Sequence, residues 1–247
     1  MKPGAENASM KTLNNEGLML IKTQGIVISY IRYKETSIIV RIFTRELGLK
    51  SYIVNGVRSS NAKVKMGFYQ PLTFLDLVVY DKENANLQRI SEVRLGKAYQ
   101  RIPFDFQRSG IALFVAEVLA KSIYDGYHNE DLFDYLDLAI GQLDGDMALL
   151  SHYPVAFLWE TSRYLGFAPD DAMGFFEELQ ENFTKQMDWQ PEMLYLQGLM
   201  ETSFGFRGNV PSHIRRNLLD HMLLFYSKHL DQHSEWKSVK VLRQMMK

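Results

Sequence analysis

Between Gly25 and Arg58 the chain passes through three strand-like segments joined by short connections, with no room for a crossover helix. Residues 36–44 are the clearest of them. Side chains alternate along a strand, so Ile38, Val40 and Ile42 share one face, and Ile39, Arg41 and Phe43 share the other. A strand over residues 22–33 precedes it, with Gly25 near its start. Glu46-Leu47-Gly48 is a turn, and residues 49–55 form the third strand. Residues 59–67 read as a loop or short helix. Residues 71–80 are strongly β-like, 81–85 make a turn, and 86–97 form a weaker fifth strand. Short strands in this number, without helices between them, predict a small barrel or sandwich. A count of five fits an oligonucleotide-binding barrel.

The hydrophobic period changes near Arg101, with Pro103 marking the break. Phe106, Ile111, Phe114, Val118 and Ile123 then recur at helical spacing. Further helices are expected over residues 130–143, 154–165, 192–202, 211–230 and 238–246, with Pro154 suited to a first helical position. The fold class is therefore α+β: an oligonucleotide-binding barrel over residues 19–100, then an α-helical domain over 101–247. Residues 1–18 are polar and read as a disordered extension, with Met19 an alternative start. Hydrophobic residues make up 46% of the chain, enough for real cores. There is no cysteine, which removes disulfides, Cys-ligated zinc and thiol chemistry together. The best apolar run, residues 111–120, contains Glu117 and falls short of the roughly 20 residues a spanning helix needs. No membrane association is expected, and the cytoplasm, near the nucleoid, is the expected compartment.

Charge is informative by region. Residues 1–99 hold 15 Lys and Arg against 8 Asp and Glu; residues 100–206 hold 5 against 18; residues 207–247 hold 8 against 3. A basic front, acidic middle and basic end suggest a polyanionic partner for the basic parts.

Catalytic signals are missing. No phosphate-binding glycine loop, Gly-x-Ser-x-Gly or His-Glu-x-x-His occurs. His229 and His233 have a helical metal-ligand spacing but no third ligand, and read better as surface or helix-end histidines. Glu177, Glu178 and Glu181 suit a solvated helix face better than a nuclease metal site. No catalytic residue, metal or cofactor is expected.

The basic front is the better lead. Lys22, Arg32, Lys34, Arg41, Arg45, Lys50, Arg58, Lys63 and Lys65 are opposed within their span only by Glu35 and Glu46. Tyr30, Tyr33, Phe43 and Tyr52 are interleaved with them. Cations hold phosphates and flat rings stack bases, so these cations are the candidate DNA-binding residues. Tyr33, Phe43 and Tyr52 are the candidate stacking residues. Composition does not separate this from a bland alternative, in which the rings are core and the cations solubilise the surface. A second basic group, Arg207, Arg215 and Arg216, beside the helix 211–230, suits nucleic acid or an acidic peptide tail. Helix-end cations making surface pairs would look the same.

One pattern joins these pieces. Gly25-Ile-Val-Ile, Tyr33, Glu35, Ser37, Ile39, Phe43-Thr44, Glu46, Gly48 and Gly56-Val-Arg58 resemble the amino-terminal domain of the bacterial RecO recombination-mediator family. Phe225-Tyr226, His229-Leu230 and the stretch Lys237 to Leu242 resemble its closing helices more loosely. The strong part covers residues 19–60. The resemblance implies a barrel followed by helices, and a non-enzymatic mediator that binds single- and double-stranded DNA and anneals complementary strands. It implies RecR as partner, with RecA helped indirectly to displace single-strand-binding protein (SSB), whose acidic tail binds the helical part. Many members carry four zinc-binding cysteines there. Without them, residues 165–188 must be held by packing, for which Phe167, Phe175, Phe176, Phe183 and Trp189 are available. An RNA-binding barrel protein, a protein-interaction adaptor and a metal-dependent nuclease are the competing readings.

Overall fold

The computed structural model describes residues 11–13, 19–59, 66–82, 85–231 and 234–245. Lys63, Lys65 and His233 lie outside the described residues, as does most of the polar stretch 1–18. The chain divides into two compact units. One is Met1–Ala98 with Ile123–Phe133; the other is Tyr99–Ser122 with Asp134–Lys247.

The first unit holds β1 (Lys11–Leu13), β2 (Met19–Tyr33), β3 (Ser37–Thr44), β4 (Gly48–Val54), β5 (Phe74–Asp81) and β6 (Gln88–Leu95). β1 lies inside the stretch expected to be disordered, and pairs with Met19–Ile21. Besides β1, β2 serves two barrel partners. Its first half pairs with β5 and its second half with β3, and an irregularity between Val27 and Ser29 marks the transfer. β3 pairs with β4, β4 runs parallel to β6 at Tyr52 and Ile53, and β6 returns to β5. These pairings close five strands on themselves, the arrangement of an oligonucleotide-binding barrel.

Alternation explains the interior. Val27, Ile38, Val40, Ile42, Tyr52, Leu75, Leu77 and Val79 point inward and form one buried cluster. Each large aliphatic side chain there contributes about 1.5–3 kcal/mol by leaving water. Gly25 is required by closeness: a Cβ would lie 2.6 Å from Ile42 Cγ2 and 2.9 Å from Leu77 Cδ1.

Part of the outward face is buried as well. Ile26, Phe43, Leu49 and Phe74 have the outward parity, yet none is more than 1% exposed. Residues 123–133 account for the two phenylalanines. The Phe133 ring lies 5.9 Å from both Phe43 and Phe74, and Tyr127 lies 6.3 Å from Phe43. Backbone bonds fix the segment: Leu49 N donates to Tyr127 O, and Gly126 N donates to Leu49 O, each at 2.8 Å. Gly48 has φ of +68°, and a Cβ there would meet Tyr127 O at 2.2 Å.

The second unit is built from α1 (Phe106–Ser122), α2 (Glu130–Asp144, whose first turn belongs to the barrel unit), α3 (Tyr153–Leu165), α4 (Ala172–Gln180), α5 (Gln190–Thr202), α6 (Ser212–His229) and α7 (Val239–Met245). α3 is buried on every side from Tyr153 through Ser162. α6 is amphipathic, and its Tyr226 hydroxyl donates to Leu158 O at 2.6 Å. α4 is the helix not anticipated from periodicity, and Asp171 caps it by accepting from Gly174 N. The segment that zinc would hold is filled by aromatic rings. Phe175 packs on Trp159, Phe176 and Phe225, while Trp189 packs on Phe176 and Phe183.

Three polar staples tie distant parts of this unit. Asp144 accepts from the backbone N–H groups of Gln100, Arg101 and Ile102 at 2.7–2.8 Å. Glu117 accepts from those of Lys237 and Ser238, capping α7. His152, on the N-cap of α3, is hydrogen-bonded through Nδ1 to the Tyr195 hydroxyl at 2.9 Å. Among the described residues, no helix is long and apolar enough to cross a membrane.

Candidate nucleic-acid interface

The open part of the barrel's outward face lies across β2, β3, β4 and β6. Ile31 pairs with Ile39, Ile39 with Ile53, and Ile53 with Arg89, so strand register alone builds a row of three isoleucines ending in a cation. Ile31 is 63% exposed, Ile39 and Ile53 are half-buried, and Arg89 is exposed. The adjoining row is Ser29, Arg41 and Ser51. Water-facing isoleucines in register are costly for a barrel to keep and suit a flat, partly apolar ligand.

The candidate cations fall into groups. Arg32, Lys34 and Arg58 gather at the β2–β3 turn, all exposed. Arg58 N donates to Thr36 O at 3.0 Å, and its Nη1 reaches Lys34 O at 3.5 Å. Lys34 adopts a left-handed conformation, φ +51°, and its ammonium sits 5.4 Å from the Tyr33 ring centre. No ion pair engages these three among the described residues. Arg41 and Arg45 differ. Arg41 pairs with Asp125 at 3.1 Å and donates to Ile123 O, and Arg45 pairs with Glu130 at 2.8 Å. Lys50 lies near the start of β4, opposite Ile42. Lys22 lies on the β2–β5 side, opposite Val78. The seven that are described therefore do not make one patch.

The stacking candidates need correction. Phe43 and Tyr52 are wholly buried, Tyr52 within the barrel core and Phe43 against Tyr127 and Phe133, so neither presents a face to a base. Tyr33 remains, half-buried beside Lys34. Sequence reasoning also passed over Arg89, visible only through the parallel β4–β6 pairing, and the tyrosines of residues 123–133, far outside the barrel stretch.

In the second unit Arg207 and Arg215 approach the same histidine. Burial, then the Arg215 cation and more weakly Arg207, push the His152 pKa down to about 4, so its ring is neutral at pH 7. Arg207 is exposed and donates to the carbonyls of Phe204 and Phe206. Arg215 is partly buried, donates to Val210 O, and has its Nε buried without a partner among the described residues. Beside them a cavity of about 540 Å³ is lined by Leu149, His152, Tyr153, Phe204 and Arg207, among others. Of the three arginines Arg207 lines it, and Arg215 and Arg216 do not. The acidic cluster is engaged elsewhere: Glu178 and Glu181 pair with Lys228 at 3.3 and 3.0 Å, and Glu178 meets His229 Nε2 at 2.8 Å. Among the described residues no group of three or more His, Asp or Glu is placed to hold a metal ion.

Comparison with known proteins agrees with this architecture. Residues 19–99 match the family model for the N-terminal part of recombination protein O, and residues 103–172 match that for its C-terminal part. DNA repair protein RecO of Flavobacterium psychrophilum is 34% identical over 237 residues, covering 92% of this chain and 99% of the relative. The protein of the same name from Flavobacterium johnsoniae is 34% identical with the same coverage. That of Bacteroides fragilis is 37% identical over 170 residues, 67% of this chain and 70% of the relative.

Proposed function

Because the chain belongs to the recombination protein O family of DNA repair proteins, we propose that its barrel binds single- and double-stranded DNA and anneals complementary strands without catalysis, helping RecA load onto SSB-coated DNA together with RecR. The observation that carries this reading is the open isoleucine row ending in Arg89, on a barrel where Arg32 of β2, Lys34 of the β2–β3 turn and Arg58, bonded to that turn from beyond β4, stand free of ion pairs among the described residues.

The chemistry follows from charge. Each phosphate met by a Lys or Arg releases condensed counterions, so binding is sequence-independent and weakens with salt. A surface that grips backbones without reading bases holds two strands close and leaves their base edges free to pair. The acidic middle of the chain disfavours spread of DNA over the helical unit. Lys22, Lys50, Arg41, Arg45, Lys63 and Lys65 add to the field with smaller individual roles. For SSB, the acidic tail is proposed to meet Arg207 at the mouth of the cavity, with Arg215 and Arg216 contributing charge.

Annealing of labelled complementary oligonucleotides coated with SSB, without nucleotide, tests the reading. The wild-type protein should accelerate duplex formation, less so as salt rises. Arg32→Glu/Lys34→Glu/Arg58→Glu should weaken binding to all sequences alike and flatten the salt slope by about one for each phosphate no longer held. Undiminished annealing by the folded triple variant would overturn the assignment. Calorimetric titration of the SSB tail peptide against Arg207→Glu/Arg216→Glu tests the second site, where equal affinity counts against it.

A further inference from the structure

We propose that Tyr124, outside the barrel's own strands, is the residue on which this barrel stacks an unpaired base of single-stranded nucleic acid. The proposal deepens the DNA-binding reading and rests on it.

A stacking residue must be exposed, firmly held and beside the surface the strand follows. Among the described aromatics of the barrel unit, Tyr124 is the one that is mostly exposed, at 70%; Phe43, Tyr52, Tyr69 and Phe74 are buried. Its backbone is unusually well tied for an exposed turn. Tyr127 N donates to Tyr124 O at 2.9 Å, and the two bonds to Leu49 of β4 anchor residues 126 and 127. Arg41 clamps the residues on either side of Tyr124, donating to Ile123 O at 3.3 Å and pairing with Asp125 at 3.1 Å. Ile123 is buried, and the Tyr127 ring braces Tyr124 edge-on at 5.5 Å. The turn is thus fixed to β3 and β4, the strands that carry the isoleucine row, and Arg41 stands two residues from Ile39 on the same face. A large ring held at the margin of that face is preorganised for a planar ligand.

The local charges define the kind of contact. Arg41 is neutralised by Asp125 and Arg45 by Glu130. Little net charge is left for phosphates at this turn, so Tyr124 would contribute stacking rather than ion pairing. A base buried in a duplex has no free face, so the contribution belongs to single strands.

Fluorescence anisotropy with an oligothymidine and with a duplex of equal length, across several salt concentrations, tests this. Tyr124→Ala should weaken oligothymidine binding by about tenfold, leave the salt slope unchanged and leave duplex affinity nearly unchanged. Tyr124→Trp should restore binding, with its added indole emission quenched by the oligothymidine; this second variant answers the question independently should Tyr124→Ala unfold. Wild-type affinity in folded Tyr124→Ala, equal losses for both ligands, or an unquenched indole would overturn the proposal while leaving the DNA-binding reading intact. Failure of the wild-type protein to bind either ligand would overturn both.

Discussion

The barrel and the helical unit bury different kinds of polar side chain: Thr23, Ser37, Thr44 and Gln88, all neutral, lie buried in the barrel unit, while the helical unit adds histidine and glutamate. The barrel's core cluster is apolar apart from tyrosine hydroxyls, and its cations stand on strand faces and turns. The helical unit buries His152, Glu160, Thr161, Ser162 and Glu192, and binds remote backbone segments with Asp144 and Glu117. The difference teaches where each unit is vulnerable. The barrel depends on apolar coverage, while the helical unit depends on a few groups remaining in one protonation state.

Coverage is tested most severely at Phe133. Phe133→Ala removes the ring that packs on Phe43 and Phe74, and should cost about 3–5 kcal/mol in denaturant unfolding. A loss below about 1 kcal/mol would show that residues 123–133 are dispensable to the barrel. In the helical unit, Asp144→Ala strands three backbone N–H groups and should cost about 1–3 kcal/mol, a size that a merely solvated carboxylate would not reach.

Acid should divide the two units. The folded pKa of His152 lies near 4, below the ordinary value of about 6.5. The unfolded chain therefore binds the extra proton first. This group's contribution is complete above pH 6.5 and is lost as the pH falls towards 4. Asp144 and Glu117 are held below the usual carboxylate range, by backbone N–H donors in Asp144 and by the Ser238 hydroxyl with backbone N–H donors in Glu117, against the opposing effect of burial. Their contribution persists to lower pH and then fails as they protonate. Hydrogen exchange should show helical-unit amides losing protection over these windows before barrel amides, and simultaneous loss would erase the contrast. The smallest effect is expected at Ile31. Ile31→Ser should change stability by no more than about 0.5 kcal/mol, yet weaken DNA binding. A large stability loss would mean that the isoleucine row serves the fold rather than a ligand.

Much of the barrel was legible because strand alternation is local. Ile38, Val40 and Ile42 face the core as their spacing requires, and the strand ends fall within a few residues of expectation. Alternation gives parity but not coverage. Phe43 and Ile39 share an outward parity, yet one is sealed and the other half-open, and the sealing residues come from beyond α1. For the same reason Tyr124 carried no signal, since its place beside Arg41 depends on contacts remote in sequence. α4 was missed because nine residues are too few for a clear period, although Asp171 and Gly174 spelled its cap. The staples at Asp144 and Glu117 were unreadable, because isolated acidic residues look alike until the chain that they bind is in place.

The return of residues 123–133 to the barrel has a consequence in time. A ribosome makes β2 early, but the strand that joins its first half to the barrel, β5, emerges only some forty residues later. Phe43 and Phe74 then stay bare until Phe133 has been made. Through that interval the nascent barrel shows water two phenylalanines that the finished protein hides, and a chaperone that recognises aromatic surface would have its best hold there.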